Sequence, residues 1–128
     1  KTAYEMLRSL VGSEMCIRDR SEIIIADHLR RYGVVYKYEK PLELTVHGRR
    51  VTFYPDFTVM NSRTGRIYYL EHFGMMDNED YYNAVLRKLD AFEMNQLLIG
   101  RDVLLLHESS SAPLNTRVLD CYIQEYLV

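Results

Sequence analysis

Two short, largely apolar runs bounded by charged residues flank a turn in the middle of the chain. Asp56–Met60 and Arg66–Glu71 are rich in β-branched and aromatic residues, and Asn61-Ser62-Arg63-Thr64-Gly65 between them is a strong turn signal. With Ser62–Gly65 as the loop, Asn61 faces Arg66 and residue i faces residue 127 − i. This register matters, because a slip of one residue would turn every side chain of one strand to the other face. Further strands are expected at Val34–Glu39, at Leu42–Val46 with Val51–Phe53 as its continuation, and at Asp102–Leu106.

Helical periodicity appears three times. Asp77-Asn78-Glu79-Asp80 is a capping cluster with acidic residues in the first turn, and a helix is expected from Glu79 to Leu97, before Gly100. Its apolar stripe is Tyr81, Val85, Leu89 and Phe92, with Lys88 in the middle of it. Near the start, Ser21 is an N-cap candidate for a helix over Glu22–Tyr32 that ends at Gly33. Ile25, Ala26 and Leu29 line one face of it, and Glu22 shares that face. A last helix, Leu114–Leu127, is expected to pack on the outside.

The hairpin register sets Asp56 directly opposite Glu71 on one face, with Cβ atoms about 5 Å apart. Two carboxylates that close repel, and one is pushed towards protonation. A divalent cation removes the conflict, and Mg²⁺ is often held by one or two carboxylates plus substrate phosphate. Simpler readings exist: Asp after Pro opens turns, and a strand-end Glu is often solvated. Lys88 also has two readings. Its stem is buried while its head snorkels to water, or its ammonium meets an anion, since a lysine on an apolar stripe is otherwise costly. Glu22 in a first helical turn is favourable dipole chemistry in its own right. His72 alternates away from Glu71, which favours a structural side chain over a general base. His28, His47 and His107 lack metal-ligand spacing and read as surface or edge residues.

The constellation of Glu22, Asp56, Glu71 and Lys88 resembles the PD-(D/E)XK nuclease superfamily. More narrowly, the chain from Ser21 onward looks like a bacterial group of unassigned function. The residues that carry the likeness are Tyr38-Glu39-Lys40-Pro41-Leu42, Tyr54-Pro55-Asp56-Phe57-Thr58-Val59 and Glu71-His72-Phe73-Gly74-Met75-Met76-Asp77. The resemblance implies an α/β, restriction-endonuclease-like core, a mixed central sheet flanked by helices. It implies Mg²⁺, with Mn²⁺ as a substitute, held by Asp56, Glu71 and the backbone carbonyl of His72. Such a cation polarises a phosphate and lowers the pKa of bound water. Lys88 would orient that water or stabilise transition-state charge, and Glu22 would position water or a second ion. One departure stands out: the superfamily's lysine normally lies two residues after the second acid, where this chain has Phe73. Some members supply the lysine from the following helix, and Lys88 suits that substitution. The implied activity is phosphodiester hydrolysis in DNA, with RNA still open as substrate, in the bacterial cytoplasm and with pairing of two copies as one arrangement. The alternatives are a catalytically degenerate nucleic-acid-binding module and an interaction or regulatory domain of a larger mobile-element or defence protein.

Composition changes this picture little. The 128 residues suit one domain, and 48% apolar residues can supply its core. Leu10–Asp19 lacks periodicity and matches a reading frame of a transposon-based sequencing adapter, so residues 1–20 are expected to be a chimeric, non-native segment from environmental DNA. The domain is then residues 21–128, and a native upstream domain is expected to be missing. Without residues 1–20 the chain carries 12 basic and 15 acidic residues, a net charge of −3. That is not the footprint of a protein that binds DNA by bulk charge. Arg49, Arg50, Arg63, Arg66 and Arg87 remain candidates for individual phosphate contacts or ordinary surface charges. With Cys16 in the suspect segment, Cys121 stands alone and a disulfide framework is not expected. Eleven tyrosines are many for this length. Tyr36, Tyr38, Tyr54, Tyr68 and Tyr69 read as strand packing, with base stacking open to some of them.

Overall fold

In the computed structural model, residues 20–128 are described, except Met76. The expected non-native segment, apart from Arg20, and Cys16 with it, lie outside the described residues. The elements run α1 (Arg20–Arg31), β1 (Val35–Tyr38), β2 (Leu42–Val46), β3 (Arg49–Phe53), β4 (Phe57–Met60), β5 (Ile67–Phe73), α2 (Glu79–Met94), β6 (Val103–His107) and α3 (Thr116–Tyr122). The last helix ends in a π-helical segment, Ile123–Leu127. Four strands form a mixed sheet in the order β1-β4-β5-β6, and β2 and β3 form a separate two-stranded sheet. The protein is thus an α/β fold with a mixed central sheet flanked by helices. Among the described residues no helix is long and apolar enough to cross a membrane.

The β4–β5 hairpin has the expected register. Phe57 pairs with Leu70 and Met60 with Ile67, and Asn61 N–H donates to the Arg66 carbonyl at 2.9 Å. The Asn61 side chain accepts from Arg63 and Thr64 N–H, the local bonding that makes Asn a turn former. Gly65, at φ 76°, closes the turn in a conformation that favours glycine. From β5 the chain crosses over through α2 to β6, which pairs with β5 in parallel. Parallel neighbours need such a long connection.

Strand alternation divides the core in two. Phe57, Val59, Tyr68, Leu70, Leu104 and Leu106 pack on one face with Ile25, Ala26 and Leu29 of α1 and with Leu119, Ile123 and Leu127 of the C-terminal helix. On the other face, Val103, Tyr69 and Leu105 pack with Ala91 and Phe92 of α2 and with Leu44 of β2.

Several boundaries differ from expectation. Val51–Phe53 does not continue β2. The chain reverses at His47-Gly48, with φ of 50° and 77°, and β3 returns antiparallel with Leu42 opposite Phe53. Two consecutive positive φ values are the tight hairpin turn whose twist matches its strands. Ser21 lies within α1 and is not its cap. At the other end, Gly33 at φ 72° donates to Arg30 and Val34 N–H reaches Leu29, a glycine-terminated helix end as expected. Asn78 caps α2 through its side chain at Tyr81 N–H, at 3.0 Å. The helix stops at Met94, short of Leu97, because Asn95 turns its side chain to the Thr45 backbone and the Ala91 carbonyl.

Phe57 is fully buried, with edge-on contacts to Tyr36 and Tyr38. Phe57→Ala is expected to lower the unfolding free energy by about 3–5 kcal/mol, as read from urea denaturation followed by circular dichroism.

Candidate functional site

The paired part of the hairpin ends at Phe57 and Leu70, and Asp56, the residue before β4, lies at the open end of the strand pair, where its charge acts on Glu71. Pro55 is buried and fixes the entry to β4. Glu71 is on the α2 face of the sheet, as are Tyr69 and Phe73 by alternation, and it is completely buried. A bare carboxylate there would be very costly. Lys88 of α2 meets it: Nζ donates to Glu71 Oε1 at 2.6 Å. The ammonium also lies 3.4 Å from the Tyr54 carbonyl. The lysine that the sequence places on the apolar stripe therefore has an anion, while Val85, Ala91 and Phe92 make the buried part of that stripe. The second carboxylate oxygen, Glu71 Oε2, is buried without a hydrogen-bond partner.

Asp56 accepts the His72 N–H at Oδ2, at 2.7 Å. Backbone directions explain this contact. Tyr69 N–H points to Asp102 and the Phe73 carbonyl accepts from Glu108, so odd residues of β5 turn their polar groups towards β6. His72 is even and turns the other way, past the end of β4, with its N–H and carbonyl on the same edge as Asp56.

The His72 side chain is buried on the face opposite Glu71 and bonds Glu108 through Nε2 at 2.6 Å. Ser21 of α1 donates to the same Glu108 oxygen. This chain of contacts ties the start of α1 to the ends of β5 and β6 beneath Asp56. Burial opposes ionisation of Glu108, but the hydrogen bonds from Ser21 and His72 outweigh it and hold the carboxyl below its ordinary range.

Glu22 is the third acid of the expected group. Its Oε1 accepts from the Tyr38 hydroxyl at 2.6 Å, on the α1 side. Among the described residues no three His, Cys, Asp or Glu side chains converge to hold a metal ion, so the expected convergence of Glu22 with Asp56 and Glu71 is not seen at ligand distance. Tyr81 joins the two sides. It lines a cleft of about 180 Å³ with Asp56, His72, Phe73, Val85 and Lys88, and the charges of Asp56, Lys88 and Glu22 all act on its phenol. The Tyr81 oxygen accepts Gly74 N–H at 3.0 Å. Burial raises its pKa first, and the nearby carboxylates add to this.

Electrostatics single out the Asp56–Glu71–Lys88 group. Burial, and then the charge of Asp56, push Glu71 up to about 8 despite Lys88. Burial works against the Lys88 ammonium, but Glu71 and Asp56 outweigh it and raise its pKa. Paired carboxylates, one of them with a raised pKa, beside a lysine in a cleft mark a candidate functional site.

Sequence reasoning identified Asp56, Glu71 and Lys88 as one group and missed two contributors. Tyr81 was read as packing, although its place one turn before Val85 put it on the same face as Lys88. Glu108 follows a strand and has no local signal; only the fold brings it under His72. Of the remaining candidates, His28 pairs with Asp120 at 2.9 Å and links α1 to α3, Arg66 pairs with Asp102, and Arg63 reaches the Val128 carbonyl. Cys121 is an exposed free thiol.

No protein-family model matches the chain, and no curated protein matches it at a significant level.

The raised Glu71 pKa has a testable sign. Between its ordinary 4.5 and about 8 the folded state binds the proton more tightly than the unfolded chain. The associated stability is fully present below the lower value and is lost as pH rises through the higher one, by up to about 1.4 kcal/mol per pH unit. Urea midpoints measured from pH 5 to pH 9 without divalent cation should fall more steeply for the wild type than for Glu71→Gln.

Proposed function

We propose that residues 21–128 form a metal-dependent nuclease that hydrolyses phosphodiester bonds in DNA. The observation that carries this reading is the state of Glu71. It is fully buried, feels the charge of Asp56 at the open end of the strand pair, gives one oxygen to Lys88 and leaves the other without a partner. Such an orphaned acceptor beside a second carboxylate fits a divalent cation. Asp56, Glu71 Oε2 and the His72 carbonyl would hold it. Two carboxylates and a carbonyl leave room for water and phosphate, the mode Mg²⁺ favours over an all-protein cage. When bound, the cation would supply Lewis acidity towards a phosphate oxygen and a more acidic water.

The chain's own residues have separate roles in this reading. Lys88 is held against Glu71 at the cleft wall, where its ammonium can donate to a phosphoryl oxygen as negative charge grows. It occupies the role that Phe73 cannot fill. Phe73 and Val85 make the cleft wall apolar, which strengthens electrostatic interactions at the reacting phosphate. Tyr81 turns its oxygen to Gly74 N–H, and its proton is available to the cleft. Glu108 and Ser21 steady His72, whose backbone meets Asp56. Glu22, held by Tyr38, acts at longer range.

A second reading, a binding module without catalysis, draws support from Phe73 in the usual lysine position. Cleavage assays on labelled linear, circular, single-stranded and branched DNA separate the two. The nuclease reading expects cleavage with Mg²⁺ or Mn²⁺, none with EDTA, and none above background for Asp56→Asn. Lys88→Ala should lose about 10²–10³-fold in rate, the cost of one transition-state donor. Binding without cleavage by folded wild-type protein would favour the module.

A further inference from the structure

Four of the five tyrosines expected to pack in strands have aromatic partners, and the fifth, Tyr54, lies just past the end of β3. Tyr36 and Tyr38 pack on Phe57, Tyr68 on Tyr126 and Tyr69 on Phe92. Tyr54 has no ring partner among the described residues and is 52% exposed. Its position is nevertheless fixed. Phe53 turns inward to the α2-side core, Pro55 is buried, and the Tyr54 carbonyl lies 3.4 Å from Lys88 Nζ. The residue therefore stands at the rim of the Asp56–Lys88 cleft, held from behind.

β3 leads away from that rim. It belongs to a two-stranded sheet, so its outer edge has no strand partner among the described residues, and Arg49, Arg50, Val51 and Thr52 are all exposed. Arg50 lies about 13 Å from Tyr54 along the strand. Glu43 of β2 accepts from Thr52 and lies 3.9 Å from Arg50, where it offsets part of that arginine's charge. A single exposed tyrosine is ordinary. Here a rigidly seated ring, an ammonium behind it and two arginines further out lie along one exposed strand.

We propose that β3 and Tyr54 form a track for single-stranded nucleic acid, an inference that rests on the nucleic-acid reading above. Tyr54 stacks on an unpaired base next to the phosphate seated at Asp56 and Lys88, and Arg49 and Arg50 meet phosphates further along. In a duplex the base faces are already stacked on one another, so the ring has nothing to cover. The chain's acidic balance agrees with this division: stacking supplies most of the affinity, and two phosphate contacts supply the rest. The substrate class is then a single strand or a frayed end.

Fluorescence anisotropy with labelled oligothymidine, the matching duplex and oligouridine tests the track, with Ca²⁺ in place of Mg²⁺ so that binding is read without turnover. The single strand should bind at least about 10-fold more tightly than the duplex. Tyr54→Ala should weaken single-strand binding by about 5- to 150-fold, and Tyr54→Phe should stay within about twofold of wild type. Replacing Arg49 and Arg50 together by Ala should reduce the salt slope by about 1.4. The thymidine and uridine arms show which sugar is preferred. Wild-type binding by Tyr54→Ala, or a preference for duplex, would overturn the track even if the enzyme cleaves. Tyr54-dependent binding without cleavage in Mg²⁺ would uphold the track and remove the nuclease reading. No binding to any strand would overturn both.

Discussion

A fully buried glutamate decides the architecture around it. Glu71 sits in the middle of an apolar layer between the central sheet and α2, and it is tolerable there because Lys88 reaches it at 2.6 Å. That contact fixes the rotation of α2 about its own axis. A turn of one residue would swing Lys88 by about 100°, leave Glu71 uncompensated and draw Phe92 out of the core. The same contact fixes the β5 face that α2 covers. Asp56 depends on it from the other side, since its charge is tolerable next to Glu71 only with a cation nearby. Buried ion pairs with their remaining valences unmet are poor stabilisers, so this arrangement is better explained by chemistry than by stability.

The scaffold is built to hold that group still. The hairpin turn at Asn61–Gly65 sets the register, and the register leaves Asp56 at the open end of the strand pair, where its charge acts on Glu71. The parallel crossover carries α2 back over the same face. On the opposite face α1 and the C-terminal helix bury the even-numbered side of β5, and the Ser21–Glu108–His72 contacts pin the strand exactly one residue from Glu71. The backbone of His72, steadied in this way, holds Asp56. Rigid supporting contacts of this kind are what keep a reacting geometry within tolerance.

Much of this was legible in the chain. The Asn-Ser-Arg-Thr-Gly turn sits between two runs rich in β-branched and aromatic residues, and the register assumed from a Ser62–Gly65 loop is the one seen from Phe57–Leu70 to Met60–Ile67. Lys88 on an apolar stripe had two readings, a snorkelling head or a buried anion, and the hydrogen bond to Glu71 decides for the second. Where the reading failed, non-local contacts were responsible. Nothing near Asn95 shows that its side chain will bond Thr45 and end α2 early. The reversal at His47-Gly48 rests on a histidine at positive φ, a residue that seldom marks such a turn. Ser21 has the composition of a cap, but Glu108, distant in sequence, claims its hydroxyl. The hydrogen bond from Tyr38 to Glu22 is likewise a contact that no local signal announces.

The proposal on which the account turns is that Asp56 and Glu71 form a cation site, with a Glu71 carboxyl whose proton affinity is raised when no cation is bound. Titration calorimetry with Mn²⁺ at pH 7, repeated in buffers of different ionisation enthalpy, measures cation and proton together. The account predicts one ion per chain and a net release of protons, since burial and the charge of Asp56 raise the Glu71 pKa and a bound cation favours its ionised form. Both signals should vanish in Asp56→Asn and Glu71→Gln. Binding that survives Glu71→Gln, or no binding by the folded wild-type protein, would contradict it.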